Sequence, residues 1–205
     1  MTKFFLPSER LPQELLNLRE SAKTGLNPSV PDETLALLLA AVRMRAPERI
    51  LEIGTAEALT SCALLLECPN ARLTTVESDS DRYEKAQENL VRFGVRDRAN
   101  PLFGDAAEVL EALREPFEFI FLDGPKAQYV RYLPRLKSLL APRGVLFADD
   151  VLLYGWVNGK VPVPYKRRSI VERLREYLRA VTDDPDFITS VLEVGEGVAL
   201  SVLRG

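Results

Sequence analysis

The chain has 205 residues, with 46% hydrophobic and 28% charged positions and a formal net charge of −3. That length suits one α/β domain with a full core, and the charge balance argues against general polyanion binding while leaving room for a local basic patch. With no histidine, and with Cys62 and Cys68 as the only cysteines, a Ser-His-Asp or Cys-His triad is excluded and a thiolate or imidazole zinc site is not expected.

The N-terminal stretch MTKFFLPSERLPQ lacks the apolar run of a secretory leader, so a cytoplasmic protein is expected. A short helix is expected from Leu11 to Ser21 and a loop after it. Ser29-Val30-Pro31-Asp32-Glu33 reads as a helix start, with proline and acids in the first turn, and Thr34–Val42 continues as an apolar helix. A regular alternation follows. Strands are expected at Arg49–Gly54, Arg72–Glu77, Ala99–Phe103, Phe117–Leu122 and Gly144–Ala148. Helices are expected between them at Ala58–Glu67, Asp81–Phe93, Ala106–Leu113 and Tyr129–Leu140. An insert, Val151–Tyr165, precedes a long helix at Arg168–Val181. Two strands, Phe187–Val194 and Val198–Leu203, are joined by Gly195-Glu196-Gly197 as an antiparallel hairpin. Cys62 and Cys68 lie in an apolar run and read as buried thiols. The expected fold is α/β: a mostly parallel seven-stranded sheet with a C-terminal antiparallel hairpin and helices on both faces. Residues 1–45 would supply N-terminal helices and 46–205 the core of one domain.

Polar residues follow successive strands: Gly54-Thr55, Glu77, Gly104-Asp105, Asp123 and Asp149-Asp150. Ligands of open α/β sheets bind outside the carboxyl ends of the strands, so these residues outline one site. A single glycine after the first strand, rather than GxGxxG, weighs against a dinucleotide and for a smaller nucleoside. Glu77 is placed to accept ribose hydroxyls, or is a solvated strand-end acid. Asp105 is placed to accept from an adenine amine, or caps a helix. Asp123, Asp149 and Asp150 end two strands expected to be neighbours. Without histidine or cysteine they suit a hard dication, Mg²⁺ or Mn²⁺, and otherwise cap a turn. Lys126 follows Asp123 by three residues and is either a base or a surface lysine. A lysine close to a dication and shielded from water would have a lowered pKa.

The phrases LEIGTAEALTS, TTVESD, FGDAAEVL and FIFLDGPK resemble the successive motifs of class I S-adenosylmethionine-dependent methyltransferases, nearest the catechol and caffeoyl-CoA O-methyltransferase group. The likeness covers about residues 28 to 205 and implies a Rossmann-like methyltransferase fold. It implies that Val30, Glu52, Gly54, Thr60, Glu77, Ala106 and Asp123 line the S-adenosylmethionine pocket, that the three aspartates hold the metal, and that Lys126 is the general base. Two positions depart from the family pattern: Ala58 stands where glycine is usual, and Asp150 where asparagine is usual.

The C-terminal phrases DGPKAQY, DDVLLYG and EVGEGVALS are similar to those of the bacterial tRNA 5-hydroxyuridine methyltransferases, DAAKGQY, DNVLFRG and PxGDGxAxS. That likeness implies a tRNA wobble hydroxyuridine as acceptor and 5-methoxyuridine as product. Lys160, Lys166, Arg167 and Arg168 are then candidate phosphate contacts, the last three at a helix start where cations are disfavoured without an anionic partner. They otherwise form a solvated cluster paired with Glu172 or Glu176. Tyr154 and Trp156 would stack on a base or pack under the insert. A small hydroxylated acceptor of the catechol or phenol type is the alternative, and a non-catalytic nucleoside-binding protein is an alternative of another class. A homodimer is expected from the apolar faces of the N-terminal helices and from the resemblance.

Overall fold

The computed structural model describes residues 11–22 and 29–205. Two N-terminal helices, α1 (Gln13–Ala22) and α2 (Asp32–Arg45), precede the alternating part. That part runs β1 (Arg49–Ile53), α3 (Leu59–Glu67), β2 (Arg72–Glu77), α4 (Ser80–Arg92), β3 (Ala99–Phe103), α5 (Ala106–Ala112), β4 (Phe117–Leu122), α6 (Tyr129–Leu139) and β5 (Leu140–Ala148). After the insert come α7 (Arg168–Thr182), β6 (Phe187–Leu192) and β7 (Val198–Leu203). The sheet order is β3-β2-β1-β4-β5-β7-β6. The first five strands pair in parallel, and β7 enters antiparallel between β5 and β6. The fold expected from the sequence is therefore the fold observed.

The strands are apolar on both faces, as parallel strands covered on both sides must be. Alternate residues divide between two cores. Ile50, Phe119, Phe121 and Phe147 face α1 to α4. Leu51, Ile53, Ile120, Leu122 and Leu146 face α5 to α7. The reversal of strand order falls between β1 and β4, so the carboxyl ends of these strands open a crevice.

Two local differences from the expected elements have physical causes. β5 begins at Leu140 rather than Gly144, because Leu140 already pairs with Phe117 before a register shift restores pairing at Val145. Pro142 and Arg143, expected to precede the strand, thus lie inside it at a bulge. Ala58 sits at φ 59° as the residue before α3, fully buried, so the methyl group is accommodated in a left-handed conformation that favours glycine. Cys62 and Cys68 are both buried and free, as expected. No helix among the described residues is long and apolar enough to cross a membrane.

Candidate active site

Five strand ends are stitched at one level by backbone hydrogen bonds. Gly54 and Thr55 donate to the Val76 carbonyl at 3.1 and 3.2 Å, Gly104 to Glu77 at 2.9 Å, Asp123 to Ile53 at 2.9 Å and Asp149 to Leu122 at 3.0 Å. Gly54 has φ 100°, and a Cβ there would stand 2.5 Å from the Asp123 carbonyl oxygen. Only glycine lets the ends of β1 and β4 approach this closely.

Above these ends lies a cavity of about 590 Å³, in the range of small-molecule sites. Val30, Gly54, Glu77, Gly104, Asp105, Ala106, Asp123, Lys126, Asp149 and Asp150 all line it. A smaller recess beside it, about 30 Å³, is lined by Thr55 and Thr60 together with Val30 and Gly54. Ser29, Pro31, Arg82, Tyr132, Tyr154 and Glu196 also line the larger cavity. Arg82, Tyr132 and Glu196 carried no signal in the sequence, because each comes from a helix face or turn outside the strand-end pattern.

Glu52 is the exception among the expected lining residues. It shares a strand face with Ile50, beneath α3, and is wholly buried outside both cavities. Its Oε2 accepts from Ser61 Oγ and, at 2.6 Å, from Thr75 Oγ1. Thr75 has spent its proton there, so at the 2.6 Å Thr55–Thr75 contact Thr55 is the donor. Glu52 Oε1 has no hydrogen-bond partner. Burial, against the two side-chain hydrogen bonds, raises its pKa to about 7.

Glu77 lines the cavity at the end of β2 while holding the loops around it. Its Oε2 accepts from Ala56 N at 2.8 Å, and its Oε1 from Ser78 N and Asp79 N at 2.9 Å. Three of about four acceptor sites of the carboxylate are occupied, so it is held rigidly with one left for a ligand hydroxyl. Asp105 is the N-cap of α5, its Oδ1 accepting from Ala107 N at 2.8 Å. Asp105 thus caps the helix, as one of its two readings expected, and also lines the cavity.

At the other end of the cavity, carboxylate oxygens of Asp123, Asp149 and Asp150 lie within 4.8 Å of one another. The neighbouring ends of β4 and β5 deliver them. Asp149 is 1% exposed and its Oδ1 accepts from Asp150 N at 2.8 Å. Asp150 adopts φ 57°, a conformation Asp and Asn tolerate better than most residues. The Tyr129 hydroxyl lies 3.0 Å from the Leu122 carbonyl and 3.2 Å from that of Asp149, below the cluster. Burial first, and then mutual repulsion, raises the carboxyl pKa of Asp149 well above the ordinary value. Such a donor set, made wholly of carboxyl oxygens, fits a hard dication.

Lys126 Nζ stands 2.5 Å from Asp123 Oδ1 and 3.0 Å from Asp150 Oδ2. The lowered pKa expected for this lysine is conditional on a dication beside the amine; among the protein's own groups the direction is upward. Burial alone would depress it, but the carboxylates, Asp123 foremost, outweigh burial and hold the pKa well above the usual lysine value.

The insert brings Tyr154 to the rim. It is 60% exposed, packs on Trp156 with centroids 4.9 Å apart, and donates its backbone N–H to Glu196 Oε2 at 2.5 Å. Glu196 belongs to the β6–β7 turn, whose Gly195 abuts Pro31 and Thr34 and whose Gly197 abuts Leu152 of the insert.

The candidate phosphate contacts stand elsewhere. Lys160 pairs with Glu193 at 2.5 Å, Arg168 lies over the Tyr165 ring, and Lys166 and Arg167 are exposed. None of the four lines the cavity. Glu172 and Glu176, considered as their partners, pair instead with Arg175 and Arg173.

Comparison with known proteins agrees with this geometry. The O-methyltransferase family model matches residues 8–204. A catechol O-methyltransferase of Mycobacterium tuberculosis is 33% identical, over 70% of this chain and 62% of its own. A caffeoyl-CoA O-methyltransferase of Populus kitakamiensis is 28% identical, over 84% of this chain and 77% of its own. Among solved structures, an O-methyltransferase from Bacillus cereus in complex with SAH superposes with a TM-score of 0.79 at 23% identity, covering 94% of this chain and 90% of that one. The strand-end cavity, the sheet order and the family match lead to one identification: this chain belongs to the O-methyltransferase family and has the fold of the S-adenosylmethionine-dependent methyltransferases.

Proposed function

We propose that this protein binds S-adenosylmethionine in the strand-end cavity and methylates a hydroxyl of a small catechol- or phenol-type acceptor, with Mg²⁺ or Mn²⁺ held by Asp123, Asp149 and Asp150. One observation carries the reading: three carboxylates converge within 4.8 Å at one end of a cavity whose other end holds Gly54, Glu77 and Asp105. Glu77 would accept from the ribose and Asp105 from the adenine amine, while Gly54 and Val30 supply close backbone and apolar contact. The dication would stabilise the acceptor oxygen in its deprotonated form. The C–S bond to the methyl group breaks as the C–O bond forms, giving a methyl ether and S-adenosylhomocysteine.

The residues around the acceptor would act mainly by placement and charge. Tyr154 offers a flat, exposed ring at the rim. Lys126 holds Asp123 and Asp150 in place. A dication on the same carboxylates would remove the field that keeps its proton, so Lys126 becomes a base only in the loaded site.

The tRNA acceptor is the less favoured reading. The lining has six carboxylates, Glu77, Asp105, Asp123, Asp149, Asp150 and Glu196, against the cations Arg82 and Lys126. That is a poor surface for a polyanion. A cytoplasmic homodimer belongs to the same proposal, resting on the exposed apolar residues Met44 of α2 and Ile188 of β6. Light scattering should then give twice the 23.0 kDa chain mass.

The deciding assay incubates the protein with S-adenosylmethionine and catechol, with Mg²⁺ and after chelation. Methoxyphenol formed only with the dication supports the proposal. Methylation of hydroxyuridine tRNA with none of catechol would favour the wobble acceptor, and cofactor binding without turnover on either would favour a non-catalytic protein.

A further inference from the structure

We propose that Arg19, in the last turn of α1, is a positioning residue that holds one wall of the cofactor cavity. Arg19 is 1% exposed. Its Nη1 donates to Ser29 Oγ at 2.5 Å and its Nη2 to the Val30 carbonyl at 2.8 Å. Nη2 also stands 3.6 Å from Asp32 Oδ1. The planar fork therefore spans consecutive residues just before α2. Ser29 and Val30 line both the cavity and its recess, and Pro31 lines the cavity.

A guanidinium in this place is costly if packing is all it does. It stands one helical turn after the fully buried Leu15. Burying a charge is expensive, and an apolar side chain of similar volume commonly serves stability as well or better. What an apolar side chain cannot do is fix a carbonyl and a hydroxyl of an extended segment. Ser29 and Val30 lie outside helix and strand, so no backbone ladder sets their position. The fork supplies that position from one side. On the other side Gly195 of the β6–β7 turn abuts Pro31.

This inference rests on the cavity being the S-adenosylmethionine site, and the test separates the two. Cofactor binding is measured by calorimetry for the wild type, Arg19→Met, Arg19→Lys and Ser29→Ala, alongside thermal unfolding and the KM of the acceptor. If loss of the fork leaves the wall in place a tenth of the time, apparent cofactor affinity falls about tenfold. Arg19→Met should show that loss with unchanged acceptor KM and a melting temperature close to wild type. Arg19→Lys reaches one acceptor and should recover part of the affinity. Ser29→Ala should weaken binding about threefold, and the double variant should fall short of the product of the two effects because both act through one contact. Unchanged cofactor affinity in Arg19→Met overturns the proposal, as does a loss that tracks falling stability and rising acceptor KM together. If Arg19→Met does not fold, full additivity of Arg19→Lys and Ser29→Ala overturns it. A wild type that binds no cofactor refutes the cofactor reading itself.

Discussion

Replacing Glu52 by glutamine should flatten the pH dependence of stability. The carboxyl group is wholly buried, and its pKa rises from 4.5 to about 7 on folding. A raised carboxyl pKa means that the folded chain holds a proton the unfolded chain has released. Stability from this group is therefore complete below pH 4.5 and is lost as pH climbs toward 7. Between pH 5 and 8 the loss amounts to about 2.5 kcal/mol. Glutamine can accept from Ser61 and Thr75 as Glu52 does, but its amide would sit where Oε1 has no partner. That leaves a constant offset of about 1 to 3 kcal/mol, which does not vary with pH. Urea unfolding of both proteins from pH 5 to 8 isolates the slope, because Asp123 and Asp149 titrate in both. The wild-type midpoint should fall by about 1 M urea relative to the variant across that range. Parallel curves would refute the assignment of a neutral Glu52 to the fold.

Gly54→Ala should destabilise the chain by at least about 2 kcal/mol, combining strain at φ 100° with a clash against the Asp123 carbonyl, and should abolish cofactor binding; denaturation and calorimetry check this. Asp150→Asn should lower dication affinity about tenfold, read by titration calorimetry, because a charged ligand in a partly buried site is worth about 1.4 kcal/mol more than a neutral one. Ala58→Gly should be close to neutral. Relief of about 1 to 2 kcal/mol of left-handed strain is offset by about 0.4 to 1 of chain entropy and about 0.8 for a buried methyl. A melting-point rise above about 5 °C would show that the loop is strained beyond its dihedral angle. Chelation should stop catechol methylation, and Mg²⁺ should restore it.

The element pattern was legible because the period changes cleanly between strand and helix, and β2, β3 and β4 fall where they were expected. The strand-end site was legible for the same reason, since position after a strand is itself a spatial statement. What stayed hidden depends on third neighbours. Glu52 stands in a strand among apolar residues, and only the packing of α3 tells which face it shares with Ile50. The sequence puts Lys126 three residues from Asp123, whereas its second contact, with Asp150, depends on the neighbouring ends of β4 and β5. Arg19 offered a signal that passed unread: it follows Leu11 and Leu15 at helical spacing, on the face that becomes buried.

The β6–β7 turn sets a limit on how this protein can diversify. A Cβ at Gly195 would meet Thr34 and Pro31, and one at Gly197 would meet Leu152, so neither position accepts a side chain. Between these two glycines stands Glu196, whose carboxylate accepts from the backbone of Tyr154. A mutational library confined to Gly195–Gly197 thus explores a single letter. Diversifying the rim of the cavity would have to proceed through the insert instead, where the ring of Tyr154 is 60% exposed.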